Sequence, residues 1–164
     1  MNPDATPDSR ARVAVAAAVA GRWLLGGCFL YTGLSKALHP VDFLKLLRQY
    51  ELVRTDWLLN ALAAALPWFE IFCAALLFAG VAVRGTSLVL AVMLAFFTWA
   101  VWQRALGIEA AQAIAFCAIK FDCGCGNGEV YICRKLPENA GLILLCLWML
   151  RGRGRPLSLR YSLR

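Results

Sequence analysis

The chain has 164 residues, 61% of them hydrophobic and only 16% charged, with a formal net charge of +7. Soluble domains run at roughly 45–50% apolar and about 25% charged, so this balance excludes a disordered chain and a small soluble enzyme, whose surface so few charges cannot cover. The positive charge is no nucleic-acid footprint either, because it is split between long apolar runs instead of forming a basic stripe.

Residues Met1 to Arg12 form a polar leader with two Pro, two Asp and two Arg, expected to be a disordered tail. The first apolar run, Val13 to Leu38, is broken only by Arg22 and Lys36. Ala18-Val19-Ala20 mimics a signal-peptide cleavage site. The apolar stretch nevertheless continues through Trp23-Leu24-Leu25, which makes it an uncleaved first transmembrane helix. Gly21, Gly26, Gly27 and Gly33 would let a neighbouring helix approach closely. His39-Pro40 ends the run. Val41 to Val53 is amphipathic, with Phe43, Leu44, Leu46, Leu47 and Tyr50 at helical spacing, and is too short to span; it is expected to lie at the interface.

The second run, Trp57 to Val83, is interrupted by Pro67 and Glu70, and Arg84-Gly85 is read as the turn after it. Thr86 to Trp102 is the third run. Ala105 to Ile119 remains helix-prone, either as its continuation or as a separate surface helix. Lys120 to Glu129 holds three Gly and one Asn in ten residues and is a turn. The last run, Leu136 to Leu150, covers only ~22 Å at 1.5 Å per residue, against a ~30 Å hydrocarbon core. It must start near Arg134 or rely on tilt and thinning. The expected fold is an all-α integral membrane four-helix bundle, residues 13–150, with a short interfacial helix after helix 1 and a cysteine-rich loop between helices 3 and 4. A basic tail, residues 151–164, follows.

Four spans place both termini and the Arg84 turn on one side. Without Arg22, Lys and Arg divide eight to eight between the sides, a tie under the positive-inside rule. Five Arg crowded into the last fourteen residues break it in favour of a cytoplasmic tail. Both termini are therefore expected inside and the cysteine loop on the periplasmic side of an inner membrane.

Of seven cysteines, Cys28, Cys73 and Cys146 lie inside apolar runs, where a Cys behaves as a small hydrophobe. Cys117, Cys123, Cys125 and Cys133 cluster in one loop, and four Cys allow three pairings. Cys123-Gly124-Cys125 is the tightest. A bridge there needs a sharply bent backbone, which Gly124 permits, and closes too small a loop to add much stability. Strained, exposed disulfides are oxidising and labile, so Cys123 and Cys125 are the candidate redox pair. Lys120 would favour a thiolate and Asp122 oppose it. Cys117 and Cys133, on either side, are a second pair that could exchange with the first. Two other readings stand beside this one: an inert disulfide stapling the loop, and a metal-thiolate site, although C-x-C with wide flanks is not a standard zinc spacing.

The stretches Trp23 to Pro40 (WLLGGCFLYTGLSKALHP), Leu66 to Glu70 (LPWFE), Asp122 to Gly126 (DCGCG) and a last helix opened by Glu138-Asn139 resemble, in order, the DoxX-like membrane proteins and most closely their methylamine-utilisation MauE branch. The resemblance implies a four-helix membrane protein acting in periplasmic thiol-disulfide chemistry. In that branch the namesake members serve maturation of the disulfide-rich small subunit of methylamine dehydrogenase, beside a thioredoxin-like partner. Where the family usually has Phe after the second cysteine and Gly, this chain has Asn127, and it adds Cys117 and Cys133 to the common pattern.

Glu70 sits mid-span, where an ionisable group faces the bundle interior and pairs with something. Arg22 and Lys36 are its possible partners; Lys36, near the outer end, is the better match. Such a Glu could accept protons released on dithiol oxidation, or it could simply fix helix packing as an ion pair. Arg22 is expected to snorkel to the inner interface. Trp23, Trp57 and Trp102 read as interfacial anchors, while Trp68 and Trp99 lie deeper and could line a quinone pocket. His39 is expected to cap a helix or face solvent.

The resulting expectation is a membrane thiol-disulfide redox protein, with Cys123, Cys125, Cys117, Cys133, Glu70 and Lys36 as its site. It would sit in the lipid bilayer and act on a periplasmic thioredoxin-like protein or a disulfide-containing substrate. A membrane quinone is a chemically suitable electron acceptor. The alternatives are an assembly factor with purely structural loop disulfides and a soft-metal-binding membrane protein.

Overall fold

A computed structural model describes residues 9–51, 55–124 and 128–153. Five helices follow one another: α1 (Ser9–Leu38), α2 (Pro40–Gln49), α3 (Asp56–Ala79), α4 (Val83–Gln112) and α5 (Ile132–Trp148). Between α4 and α5 come a single 3₁₀ turn, Phe116–Ala118, and two short strands, β1 (Lys120–Asp122) and β2 (Glu129–Tyr131). A π-helical turn, Met149–Arg153, extends α5. Among the described residues the protein is all-α apart from one small hairpin. Among the described residues three helices, α1, α3 and α4, are long and apolar enough to cross a membrane. At 17 residues α5 is shorter than the ~20 a span requires.

α1 and α3 run antiparallel in close contact, and glycines set the spacing. A Cβ on Gly33 would lie 2.9 Å from the carbonyl oxygen of Pro67 and 3.0 Å from the Cβ of Glu70; one on Gly26 would meet the Phe78 ring at 3.1 Å. Further down α1, Gly21 faces Leu145, Trp148 and Met149. One end of the molecule therefore carries the α3–α4 turn and the end of α5, and the other carries α2, the hairpin and the start of α5. The larger core cluster joins Leu25 and Phe29 of α1, Ala74 and Leu77 of α3, Leu90 and Leu94 of α4, and Cys146 of α5.

Two boundaries differ from expectation. α1 starts at Ser9, ahead of the apolar run. The α3–α4 turn is Gly80–Ala82, not Arg84-Gly85: Gly80 takes the left-handed conformation (φ 70°) and, with the N–H of Val81, satisfies the last carbonyls of α3. Arg84 and Gly85 instead form the first turn of α4, where both are exposed. The stretch after Arg104 continues α4 to Gln112, the first of the two alternatives the sequence left open. Arg22 also departs from expectation. It does not snorkel but is 3% exposed, because it shares the i, i+3/i+4 face of Ala18, Leu25 and Phe29 that packs into the core. Its Nε and Nη1 have no hydrogen-bond partner among the described residues. Trp23, Trp57 and Trp102 are exposed.

Candidate functional site

The site is assembled at the end of the molecule where α1, α2, the hairpin and the start of α5 meet. β1 and β2 pair antiparallel in the register Lys120↔Tyr131, Phe121↔Val130, Asp122↔Glu129. Two apolar residues root the hairpin: Ile119 and Ile132 are buried against Val101 and Ala105 of α4, and the N–H of Ile132 donates to the carbonyl of Ile119 at 3.2 Å. Outside this pairing Cys117 and Cys133 form a disulfide, with Cα atoms 5.1 Å apart. Both cysteines are exposed.

The loop between the strands is bent by its own residues. The Asp122 carboxylate accepts the Gly124 N–H at 2.8 Å, a local Asx-type turn, and Gly124 adopts φ +76°. Cys123 is thereby turned inward and is 6% exposed, and its carbonyl accepts a 3.4 Å hydrogen bond from the Tyr50 hydroxyl at the end of α2. Cys125 lies outside the described residues. Lys120, the cation expected to act on the thiols, reaches across the hairpin to Glu129 at 3.6 Å and lies over the Tyr131 ring.

Cys123 lines a cavity enclosing about 690 Å³ of empty space, its open mouth included. Its walls are mainly apolar: Phe29 from α1, Phe43 and Leu47 from α2, Leu94 and Phe97 from α4, and Leu142 from α5. Set into them is a buried ion pair, Lys36 Nζ to Glu70 Oε1 at 2.5 Å, with side chains 8% and 2% exposed. The Thr32 hydroxyl donates to Glu70 Oε2 at 3.2 Å, and Lys36 Nζ lies 5.3 Å from the ring centres of both Phe43 and Phe97. Asn139, 4% exposed, also lines the cavity and donates to Thr98 Oγ1 at 3.1 Å. A second, more polar cleft of about 520 Å³ adjoins it, lined by Ser35, His39, Asp42 and Asp122; Lys36, Phe43, Leu46 and Gly124 belong to both.

Of the residues singled out from sequence, Lys36, Glu70 and Cys123 come together in one cavity. Cys117 and Cys133 bond to each other outside it. Trp68 and Trp99 do not line it; they are 67% and 48% exposed, on outward helix faces, and the aromatic wall is made by phenylalanines. Sequence reading missed Cys28, Thr32, Lys135 and Asn139, all lining residues. A signal was present: Cys28, Thr32 and Lys36 on α1, and Lys135 and Asn139 on α5, recur at steps of four and so share a helix face. Cys73 and Cys146 are buried in the core cluster, as expected of small apolar side chains.

No curated protein and no solved structure matches the chain. One protein family does, described as methylamine utilisation protein MauE, and its match extends over residues 14–152, from within α1 past the end of α5. With three membrane-capable helices and a family match over most of its length, the chain is a membrane protein that belongs to the MauE family.

Proposed function

We propose that this protein is a thiol-disulfide exchange factor of the inner membrane, with Cys123 and Cys125 as its exchanging pair. In this reading α5 and its π-helical extension form the fourth span, α2 lies at the outer interface, both termini are cytoplasmic and the hairpin is periplasmic, where disulfides persist. A thiolate of a thioredoxin-like partner attacks the Cys123–Cys125 disulfide and forms a mixed disulfide. The partner's second thiolate then resolves it. The partner leaves oxidised, and Cys123 and Cys125 are left as two thiols. Exchange with the exposed Cys117–Cys133 bridge can return a disulfide to the inner pair; Cys117 and Cys133 are then left as two thiols, and the disulfide of an oxidised periplasmic protein re-forms their bridge and is itself reduced. The Lys36–Glu70 pair takes up and releases the protons that thiol oxidation sets free. The client class would be the disulfide-rich proteins of methylamine utilisation.

The observation that carries the reading is the position of Cys123, in the wall of the cavity that holds a buried ion pair and inside the Asp122–Gly124 turn that its own sequence pins. Ionisable groups at this depth are costly and mark function by default. The test traps thiols in intact membranes with a mass-shifting maleimide, in wild type and in Cys123→Ser. Wild type should show a Cys123/Cys125 pair whose oxidation state responds to mild reductant and a mixed disulfide with a partner; Cys123→Ser should lose the mixed disulfide and leave only the Cys117–Cys133 bridge responsive. A loop that stays fully oxidised without any mixed disulfide would sink the relay. It would favour a second reading, an assembly factor whose Cys117–Cys133 bridge only shapes a docking surface; that bridge, closing the base of the hairpin, suits such a role.

A further inference from the structure

Thiol exchange moves electrons but does not dispose of them, and the cavity behind Cys123 has the chemistry to do so. We infer that it is the binding site of a lipid-soluble quinone, which serves as terminal electron acceptor for the Cys123/Cys125 pair; the inference rests on the exchange reading above.

Four features select this ligand class. The walls are apolar, as suits a molecule that partitions into lipid. Phe43 and Phe97 line the cavity on either side of one ammonium, 5.3 Å from each ring centre, and aromatic side chains there can pack against a flat ring. Lys36 Nζ spends one bond on Glu70, and an ammonium has three donors, so it can also hold a carbonyl oxygen. Cys123 stands in the same wall, so the sulfur to be oxidised and the acceptor share one compartment. A hydrocarbon chain alone would fill such a cavity but would make no use of the ion pair, whose desolvation is not repaid by packing.

The balance closes. Cys123 and Cys125 as thiols lose two electrons and two protons, and one S–S bond forms. The quinone gains two electrons and two protons and leaves as quinol. Lys36 and Glu70 lie where a proton can be passed on, and the polar cleft that shares Lys36 connects them to His39 and Asp42.

The full-length protein in nanodiscs is irradiated with an azido-substituted ubiquinone analogue, and the labelled peptides are mapped by mass spectrometry with decylubiquinone as competitor. Label should concentrate on residues lining the cavity, Phe43 and Phe97 among them, and be displaced by decylubiquinone. Lys36→Met should weaken that competition at least about tenfold, the value of a hydrogen bond to a charged group. Because Lys36→Met strands Glu70, the double variant Lys36→Met/Glu70→Leu is measured beside it and should be equally weak while folding well. Cys123→Ser should keep the label, since it removes the sulfur and not the site. Label spread over the outward helix faces, or not displaced, would overturn the inference. The two proposals fail separately. Displaceable cavity label without thiol exchange sinks the relay and leaves the quinone site, whereas exchange without cavity label does the reverse.

Discussion

Lys36 and Glu70 are two charges withdrawn from water into an apolar setting, and what happens when one is removed differs from what happens when both are. A buried pair of this kind contributes little net stability, but a single stranded charge costs about 3–5 kcal/mol. Lys36→Met and Glu70→Leu should each lower the thermal midpoint in detergent markedly. Lys36→Met/Glu70→Leu should recover most of that loss, and a double-mutant cycle measures the difference. Gly33 and Gly27 make a second contrast. A methyl on Gly33 runs into the backbone of α3, whereas nothing lies within 4 Å of one on Gly27. Gly33→Ala should therefore destabilise by pushing α1 from α3 and shifting Lys36 relative to Glu70. Gly27→Ala should be neutral or stabilise by about 0.5–1 kcal/mol. Thermal unfolding of the two variants side by side checks this. The Lys36–Glu70 partnership was legible from the sequence because an ionised group inside a span must find an opposite charge. The burial of Arg22 was not: it depends on which face of α1 the other helices cover, and no residue on α1 states that.

At the scale of elements, the hairpin is held from three sides: by Ile119 and Ile132 plugged into α4, by the Asp122–Gly124 turn, and by the Cys117–Cys133 bridge. A loop of about this size closed by a disulfide is worth about 3 kcal/mol. Cys117→Ser/Cys133→Ser should leave α1, α3 and α4 intact, seen as unchanged helical circular dichroism, but sharply increase hydrogen exchange in residues 119–132. The apolar runs located α1 and α3 well, and the glycine-rich stretch marked the loop. The α3–α4 turn was misplaced because Arg84-Gly85 looks like a break in composition, while the backbone turns where Gly80 can accept a left-handed conformation. The cavity was only partly legible. Its walls come from α1, α2, α3, α4, the hairpin and α5 at once, and convergence of that kind is a property of packing, not of any one segment.

For the whole molecule, the antiparallel α1–α3 pairing places α2 and every described loop cysteine at one end, with the Gly80–Ala82 turn and the close of α5 at the other. This polarity makes the proposed orientation testable without knowing any substrate. After mild reduction of spheroplasts, a membrane-impermeant maleimide should label Cys117 and Cys133 from outside. A fluorescent protein fused to the C-terminus should fold and fluoresce in the cytoplasm. Labelling only in inverted vesicles would reverse the orientation and remove the oxidising compartment the chemistry needs.

The bridge between Cys117 and Cys133 has a consequence for how the protein is made. It joins the segment after α4 to the first turn of α5, so it can close only once the chain has been translated past residue 133 and both thiols have reached an oxidising face. Insertion of the last helix and formation of the bond are thereby linked in time. A cell deprived of its general disulfide-forming machinery should accumulate newly made chains with an unanchored hairpin, visible in pulse-chase as a protease-sensitive species that matures when oxidant is restored. The protein would thus depend, during its own biogenesis, on the same kind of reaction it is proposed to perform for others.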